Sequence, residues 1–247
     1  MTERHETILS TIIKEYVSTA TPVGSSIIVK KYKLGLSSAT VRNIMKDLEQ
    51  AGYIFQPHIS AGRVPTDKGY RYFVDSLMQE RELGKGEQRA LQTEVLKLKA
   101  EKNRLAKTMA KMLASMSDSV ALSGLIDSDA VWDFGMSKLL EQPEFKETDH
   151  VCQVASLLEH IDENINKLSE QAENKEIDVY IGGENPLGRV EHCSMIISGI
   201  EFPSGEKGVI AVVGPKRMRY GKNISLVKYV KKLLGSGSLV LLLIIVL

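Results

Sequence analysis

The chain has 247 residues, of which 43% are hydrophobic and 26% are charged, and its formal net charge is +1. This length predicts two modest domains of a soluble globular protein, and a net charge near zero identifies no class of partner. Two cysteines, Cys152 and Cys193, are too few for a disulfide framework, and the charged start MTERHETIL has no signal-peptide pattern, so we expect a cytoplasmic protein.

The first two predicted helices are short and amphipathic. One follows Thr2 and ends before Pro22, because proline disfavours a helical residue in front of it. The second begins at Ser25 or Ser26 and ends in the lysine-rich sequence KKYK. The tripeptide Leu34-Gly35-Leu36 then predicts a tight turn into a third helix.

The third helix separates an apolar stripe from a polar outer face. Ser37 is a good N-cap residue, because its hydroxyl can accept a hydrogen bond from a free backbone N–H. The apolar residues recur at spacings of three and four: Val41, Ile44, Met45 and Leu48. The outer face carries residue types that donate to phosphates and read base edges: Ser38, Thr40, Arg42, Asn43 and Lys46.

A hairpin and a fourth helix are predicted next. The strands are Tyr53 to His58 and Gly62 to Pro65, with Arg63 near the tip, where an arginine can enter a minor groove. Thr66 caps the helix that follows. The candidate DNA-binding residues are Ser37, Ser38, Thr40, Arg42, Asn43, Lys46, His58, Arg63, Lys68 and Arg71.

Positive charge is concentrated in this part of the chain. Eight basic and three acidic residues between Ile28 and Arg71 give a local net charge of +5, against +1 for the whole sequence. Such clustering is typical of a phosphate-binding surface. A polar-faced helix followed by a basic hairpin predicts a winged helix-turn-helix. An ordinary solvated helix followed by a loop is the alternative.

Two contiguous segments of this region, GLSSATVRN and SAGRVPTDKGYRYFVD, resemble the DNA-binding domain of the HrcA family of heat-inducible transcription repressors. The resemblance implies a bacterial repressor of heat-shock chaperone operons, without cofactor or enzymatic activity. It also implies binding of double-stranded DNA at an inverted-repeat operator as a homodimer, a response to heat stress, and an activity supported by the GroEL chaperonin. The winged helix domain is predicted to span residues 1–82.

A charged linking helix is predicted over residues 87–116, after the boundary sequence LGKG. Its apolar residues alternate at spacings of four and three, with Lys102 on the same seam: Leu91, Val95, Leu98, Leu105, Met109, Met112 and Met116. This heptad pattern makes the helix a candidate coiled coil that joins two chains. The alternative is a helix packed on its own domain.

Residues 117–234 predict a small α+β domain. The elements are a short strand and loop within 117–130, a mixed stretch over 132–145, a helix over 150–172, strands at 177–181, 189–202 and 207–213, and a helix over 223–234. The sequences LLEQPEF, IGGENP and GVIAVVGPKRMRYGKNISLVKYVKKLL resemble the C-terminal, GAF-like domain of the same family. Residues 117–132 are too few for the further strands and inserted dimerising module that the family carries there.

The sequence ends in a predicted flexible linker, 235–238, and nine aliphatic residues, 239–247. Nine helical residues rise only about 14 Å, less than half of the roughly 30 Å of a bilayer, so no membrane attachment is expected. Two other classes of function make different demands on the sequence. A metal sensor would need paired ligand spacing among His150, Cys152, His160, His192 and Cys193, and none occurs. A ligand- or chaperone-sensing protein would use the winged helix for protein contacts.

Overall fold

The computed structural model describes residues 1–98, 101–126, 130–165, 168, 176–188 and 190–235. The chain forms two compact units: unit 1 is Met1–Gln79 together with Lys216–Tyr220, and unit 2 is Glu80–Pro215 together with the chain from Gly221. Helices and a five-stranded sheet confirm the predicted α+β class. The apolar tail 239–247 lies outside the described residues. Within them, no helix combines the length and the hydropathy that a bilayer crossing requires.

Unit 1 consists of helices and a small hairpin. Its elements are α1 (Glu3–Thr19), α2 (Ser25–Tyr32), α3 (Ser38–Gln50), β1 (Ile54–Phe55), β2 (Val64–Pro65), and α4 (Asp67–Tyr72), which continues as a π-helical turn over Phe73–Leu77. Ser37 caps α3 and Thr66 caps α4, each through its side-chain oxygen, as the sequence predicts. Gly52 ends α3 with a φ of 77°, a conformation that favours glycine.

The core of unit 1 is the meeting point of α1, α2 and α3. Its buried side chains come from all four helices and both strands: Ile8, Leu9, Ile12, Ile13, Ile28, Val41, Met45, Leu48, Ile54, Val64 and Tyr70. One charged group is buried with them. The Glu15 carboxylate accepts hydrogen bonds from Lys31 at 2.6 Å and from the Tyr32 hydroxyl at 2.8 Å, which ties α1 to α2.

The hairpin is shorter in strand and longer in loop than predicted. Only Ile54–Pro65 and Phe55–Val64 pair, and residues 56–62 form the connection. Gly62 packs so closely on the backbone of Val23 that an added Cβ would lie 2.4 Å from the Val23 carbonyl carbon. Arg63 and Val23 exchange two backbone hydrogen bonds of 2.9 Å. Gly62 therefore serves the packing of the hairpin within unit 1.

The segment Lys216–Tyr220 falls inside the predicted C-terminal domain, but it packs with unit 1. Lys216 forms an ion pair with Asp67 at the start of α4. The buried ring of Tyr220 lies 6.0 Å from the ring of Tyr70. Unit 1 is thus completed by residues that are remote in sequence.

Unit 2 is an antiparallel sheet of order β4-β3-β7-β6-β5 with helices around it. The strands are β3 (Val120–Leu125), β4 (Ala130–Phe134), β5 (Asp178–Ile181), β6 (Cys193–Glu201) and β7 (Lys207–Pro215). The helices are α5 (Lys85–Leu98), α6 (Lys102–Ser117), α7 (Met136–Leu140), α8 (Thr148–Glu163) and α9 (Tyr220–Gly235), with 3₁₀ turns at Pro143–Phe145 and Gly182–Glu184. The central strand is β7, which is buried from Gly208 to Pro215, as suits a strand covered on both faces.

The two faces of the sheet are covered differently. One face of β3, β6 and β7 packs in a cluster with Val154, Leu157 and Ile161 of α8. Helix α6 packs on β3 and β4. Of the helix predicted over 150–172, residues 166, 167 and 169–172 lie outside the described part of the chain.

The predicted continuous helix 87–116 is wrong, because the chain breaks into α5 and α6. Glu101, just before α6, has φ −114° and ψ 73°, which is not helical. Most of the apolar seam is buried inside unit 2, with Leu91, Val95, Leu105 and Met109 all at 0% exposure, whereas Met112 and Met116 are half-buried. Lys102, on the same seam, is neutralised by an ion pair with Glu206. The seam is the packing surface of these helices on their own domain.

Candidate nucleic-acid interface

The start of α3 is built from hydroxyl groups. The Ser37 oxygen accepts a hydrogen bond from the Thr40 backbone N–H at 3.1 Å and lies 2.9 Å from the Thr40 hydroxyl. The Ser38 hydroxyl lies 3.1 Å from that of Ser25, the first residue of α2. The contact between Ser38 and Ser25 holds the first turns of α2 and α3 beside each other, and the Ser37 bond caps α3. These hydroxyl groups therefore fix where the two helices begin.

Beyond these hydroxyls, α3 turns three long polar side chains to solvent. Arg42, Asn43 and Lys46 are exposed, and none of them makes a hydrogen bond or ion pair with any residue that the structure describes. Their spacing of one and four residues places them on one side of the helix. Guanidinium, amide and ammonium groups left in water without intramolecular partners are free to bind phosphates or base edges.

A cleft of about 450 Å³ lies beside this face. Its walls come from the start of α2, from α3 and from the hairpin connection: Val23, Gly24, Ser25, Ser26, Arg42, Met45, Gln56, Ile59, Ser60, Ala61, Gly62 and Arg63. The N-cap of α2 is Gly24, which has no side chain to cap the helix. The first N–H groups of α2 therefore add to the positive potential of the cleft. No sequence signal marks Gly24, Ser25, Ser26 and Gln56 as lining of this cleft, because they come together only when α2 packs against the hairpin.

Arg63 lies at the inner end of the hairpin rather than near its tip. Its guanidinium forms a 2.9 Å ion pair with Glu49 of α3, and its side chain is only 17% exposed. The tip consists of the exposed residues His58, Ile59 and Ser60. The predicted minor-groove role of Arg63 would thus require the ion pair with Glu49 to open.

The two basic residues of α4 have partners within unit 1. The Lys68 ammonium donates to the Ala51 carbonyl at 2.8 Å and lies 4.6 Å from the centre of the Tyr53 ring. Arg71 pairs with Asp75 at 3.3 Å. Lys68 therefore caps the C-terminal end of α3, away from the start of the helix where the exposed polar face lies.

Among the five His and Cys residues considered as metal ligands, the described contact is a stacked pair of histidine rings. His150 and His192 stack with ring centres 3.6 Å apart, and the His150 ring is hydrogen-bonded to the Glu144 carbonyl at 2.6 Å. Cys152 is exposed, whereas Cys193 is buried in the sheet. No three His, Cys, Asp or Glu side chains of the described residues form a group that could hold a metal ion.

Comparison with known proteins gives a consistent family. The profile of the HrcA protein C terminal domain matches residues 71–224. The heat-inducible transcription repressor HrcA of Desulforamulus reducens is 28% identical, with 92% of this chain and 94% of the relative aligned. The repressor of the same name from Acetivibrio thermocellus is 29% identical over 93% and 94% of the two chains.

The first of these alignments extends over 326 positions, whereas this chain has 247 residues. At least 79 positions of the relative therefore have no counterpart here. Among solved structures, a hypothetical protein determined at 2.2 Å resolution superposes with a TM-score of 0.74 and 19% identity, and the match covers 94% of this chain and 97% of that one. This likeness supports a shared fold.

Proposed function

The chain belongs to the HrcA family, whose curated relatives are heat-inducible transcription repressors, and on this premise we propose that it represses heat-shock chaperone operons by binding an inverted-repeat operator. In this proposal unit 1 is a winged helix-turn-helix. Helix α2 precedes the turn, α3 is the recognition helix, and the hairpin of β1 and β2 is the wing. Unit 2 is a reduced GAF-like domain.

The observation that carries the proposal is the open polar face at the start of α3. Recognition helices read base edges with residues near their N-terminal end. Arg42 can donate two hydrogen bonds to guanine and Asn43 can pair with adenine. Both are exposed and have no partner among the described residues, so binding a base would break no described hydrogen bond of either side chain.

Phosphate contacts are proposed for the cleft beside α3. The N–H groups at the start of α2 favour an anion, and Ser25 and Ser26 add hydroxyl donors. Arg42 stands on the other wall of the cleft. A DNA backbone strand lying here would fix the register of α3 in the major groove.

The operator symmetry requires two copies of unit 1. Two recognition helices on an inverted repeat are separated by about 34–36 Å, or one turn of B-DNA. Most of the seam on α5 and α6 is buried within unit 2, so the proposed homodimer must use another surface. The family's dependence on GroEL is proposed for this chain as well, and adding chaperonin to a binding assay tests it directly.

Selection from a random pool of DNA duplexes by the full-length protein tests the proposal. We expect the selected duplexes to share an inverted repeat that also occurs upstream of chaperone operons in the genome of the source bacterium. Affinity should fall with rising salt, because phosphate binding releases counterions. The mass of the complex should correspond to two chains per duplex. A protein that enriches no sequence would instead support the reading in which unit 1 contacts only proteins.

A further inference from the structure

The tip of the hairpin carries an apolar side chain in full contact with water. Ile59 is 100% exposed, whereas the other exposed large hydrophobic residues of the described chain are 40–48% exposed. His58 and Ser60 beside it are also exposed. A single exposed hydrophobic residue is ordinary on a protein surface. Exposure alone therefore gives Ile59 no function, and its position in unit 1 is the informative observation.

The connection that carries Ile59 is held by hydrogen bonds. The Gln56 side-chain amide donates to the Ile59 carbonyl at 2.8 Å and to the Ala61 carbonyl at 2.9 Å. The Ala61 N–H donates to the His58 carbonyl at 2.8 Å. Behind the tip, Gly62 is packed on Val23. The backbone of the tip is therefore arranged before any partner arrives, which lowers the entropic cost of binding.

The tip also stands next to the proposed DNA-reading face. Ile59 and Arg42 line the same cleft, together with the start of α2. If α3 occupies the major groove and a phosphate backbone lies in the cleft, the tip reaches past that backbone to the neighbouring minor groove. Arg63 is held back by Glu49, so the side chains in a position to enter are those of the exposed tip, and Ile59 is the apolar one among them.

We propose that Ile59 is a specificity-determining residue that enters the minor groove beside each half-site and favours A·T pairs there; this inference rests on the proposed function. An aliphatic side chain gains nothing from a phosphate, but it makes close contact with the groove floor, as apolar wedges do in minor-groove proteins. Guanine projects its 2-amino group into this groove, whereas A·T pairs do not. The amino group would collide with Ile59 and lose its water without gaining an acceptor.

The test uses the duplex selected by the full-length wild-type protein. The A·T pairs flanking each half-site are replaced by G·C or by inosine·C, which has the major-groove pattern of G·C but lacks the 2-amino group. We compare wild type, Ile59→Ser and the control Leu140→Ser, which removes a 43% exposed leucine from unit 2. Thermal melts establish that the variants are folded.

We expect wild type and Leu140→Ser to bind the A·T and inosine·C duplexes alike and the G·C duplex about tenfold more weakly, a difference of about 1.4 kcal/mol at 25 °C. Ile59→Ser should bind all three duplexes alike, with about the affinity of wild type for the G·C duplex. That result would separate a minor-groove contact from a general loss of affinity.

Three results would overturn the inference. The first is an Ile59→Ser protein that keeps the affinity and base preference of wild type, which would show that Ile59 faces solvent or a protein partner. The second is an inosine·C duplex that binds as weakly as the G·C duplex, with the same loss when thymine is replaced by uracil, which would place Ile59 in the major groove. Failure of wild type to select any duplex would remove the proposed function and this inference together, whereas the first two results would leave the proposed function intact.

Discussion

Helix α3 and the pair α5–α6 have similar amphipathic sequences, but the surface predicted as an interface stays exposed on α3 and is largely buried on α5 and α6. In both, apolar residues recur at three- and four-residue spacing between charged ones. The apolar residues of α3 are buried in unit 1, and Arg42, Asn43 and Lys46 of its polar face are left open. On α5 and α6 the predicted interface is the apolar seam, and most of its side chains are buried within unit 2.

The difference follows from what each surface loses when it stays in water. Burying an apolar stripe contributes about 25 cal/mol of folding free energy for each Å² removed from water. Such a stripe therefore packs on the apolar surface of its own domain before it can bind a partner. Burying a polar face within the chain brings no such stabilisation, so the face stays exposed and can bind a partner. Free polar groups on α3 are therefore better evidence of an interface than apolar spacing on α5 and α6.

Replacing Leu105 by aspartate should have the largest effect. The side chain is fully buried on α6, so the variant would bury an unpaired charge and cost about 3–5 kcal/mol of folding free energy. We expect the thermal transition of unit 2 to be lost or strongly lowered. The control is Leu96→Asp on α5, where the leucine is 43% exposed. A Leu105→Asp protein that melts like wild type but changes from dimer to monomer would restore the seam as an interface.

Arg42→Ala should weaken operator binding by about 2 kcal/mol without changing the melting temperature, because Arg42 supports no other described part of the protein. Titration against the selected duplex and against one with scrambled half-sites measures both affinity and specificity. Lys107→Ala on α6 removes the same charge from unit 2 and should have no effect. Equal losses on both duplexes would make Arg42 a phosphate contact rather than a base reader.

Lys68→Ala should act on folding instead of DNA binding. The variant loses the hydrogen bond to Ala51 and the contact with the Tyr53 ring, which together stabilise unit 1 by about 1 kcal/mol. Its salt dependence of DNA binding should match wild type. Lys46→Ala should do the reverse, with an unchanged melt and a salt slope lower by about 0.9. A reduced slope in Lys68→Ala would mean that Lys68 leaves Ala51 to bind a phosphate.

The smallest expected effect is on acid stability and concerns the buried carboxylate of α1. The Lys31 and Tyr32 hydrogen bonds lower the pKa of Glu15 below its ordinary 4.5, although burial opposes this, while burial and the Glu15 carboxylate raise the pKa of Tyr32 to about 12. A lowered folded pKa stabilises the protein above pH 4.5, and this stabilisation is lost as the pH falls through the folded value.

Melts of unit 1 between pH 7 and pH 3 should therefore show a steeper acid loss in wild type than in Glu15→Gln, which has no group to titrate. The same acid dependence in both proteins would assign the loss to other carboxylates. Lys31, one of the lysines near the end of α2, thus belongs with Lys68 among the cations that have intramolecular partners.

The local geometry of α3 could be predicted from the sequence. The cap at Ser37 and the buried stripe of α3 follow from side-chain chemistry and helical period, so the outward direction of Arg42 and Asn43 was also predictable. The pairing of Arg63 with Glu49 was not, because it depends on how the hairpin folds back over α3. The same holds for Lys68, whose acceptor is a backbone carbonyl seventeen residues away.

The amino-acid sequence by itself determined the α+β class, the N-caps of α3 and α4 at Ser37 and Thr66, and the resemblance to HrcA. These features depend on local period, turn chemistry and contiguous motifs. Only the tertiary structure decided that α5 and α6 are separate helices, that Tyr220 completes unit 1, and which cations are engaged. Those outcomes depend on surfaces that meet only when the chain folds, from Arg63 and Glu49 fourteen residues apart to Tyr70 and Tyr220 150 residues apart. The charge or hydropathy of a side chain does not reveal which surface it meets.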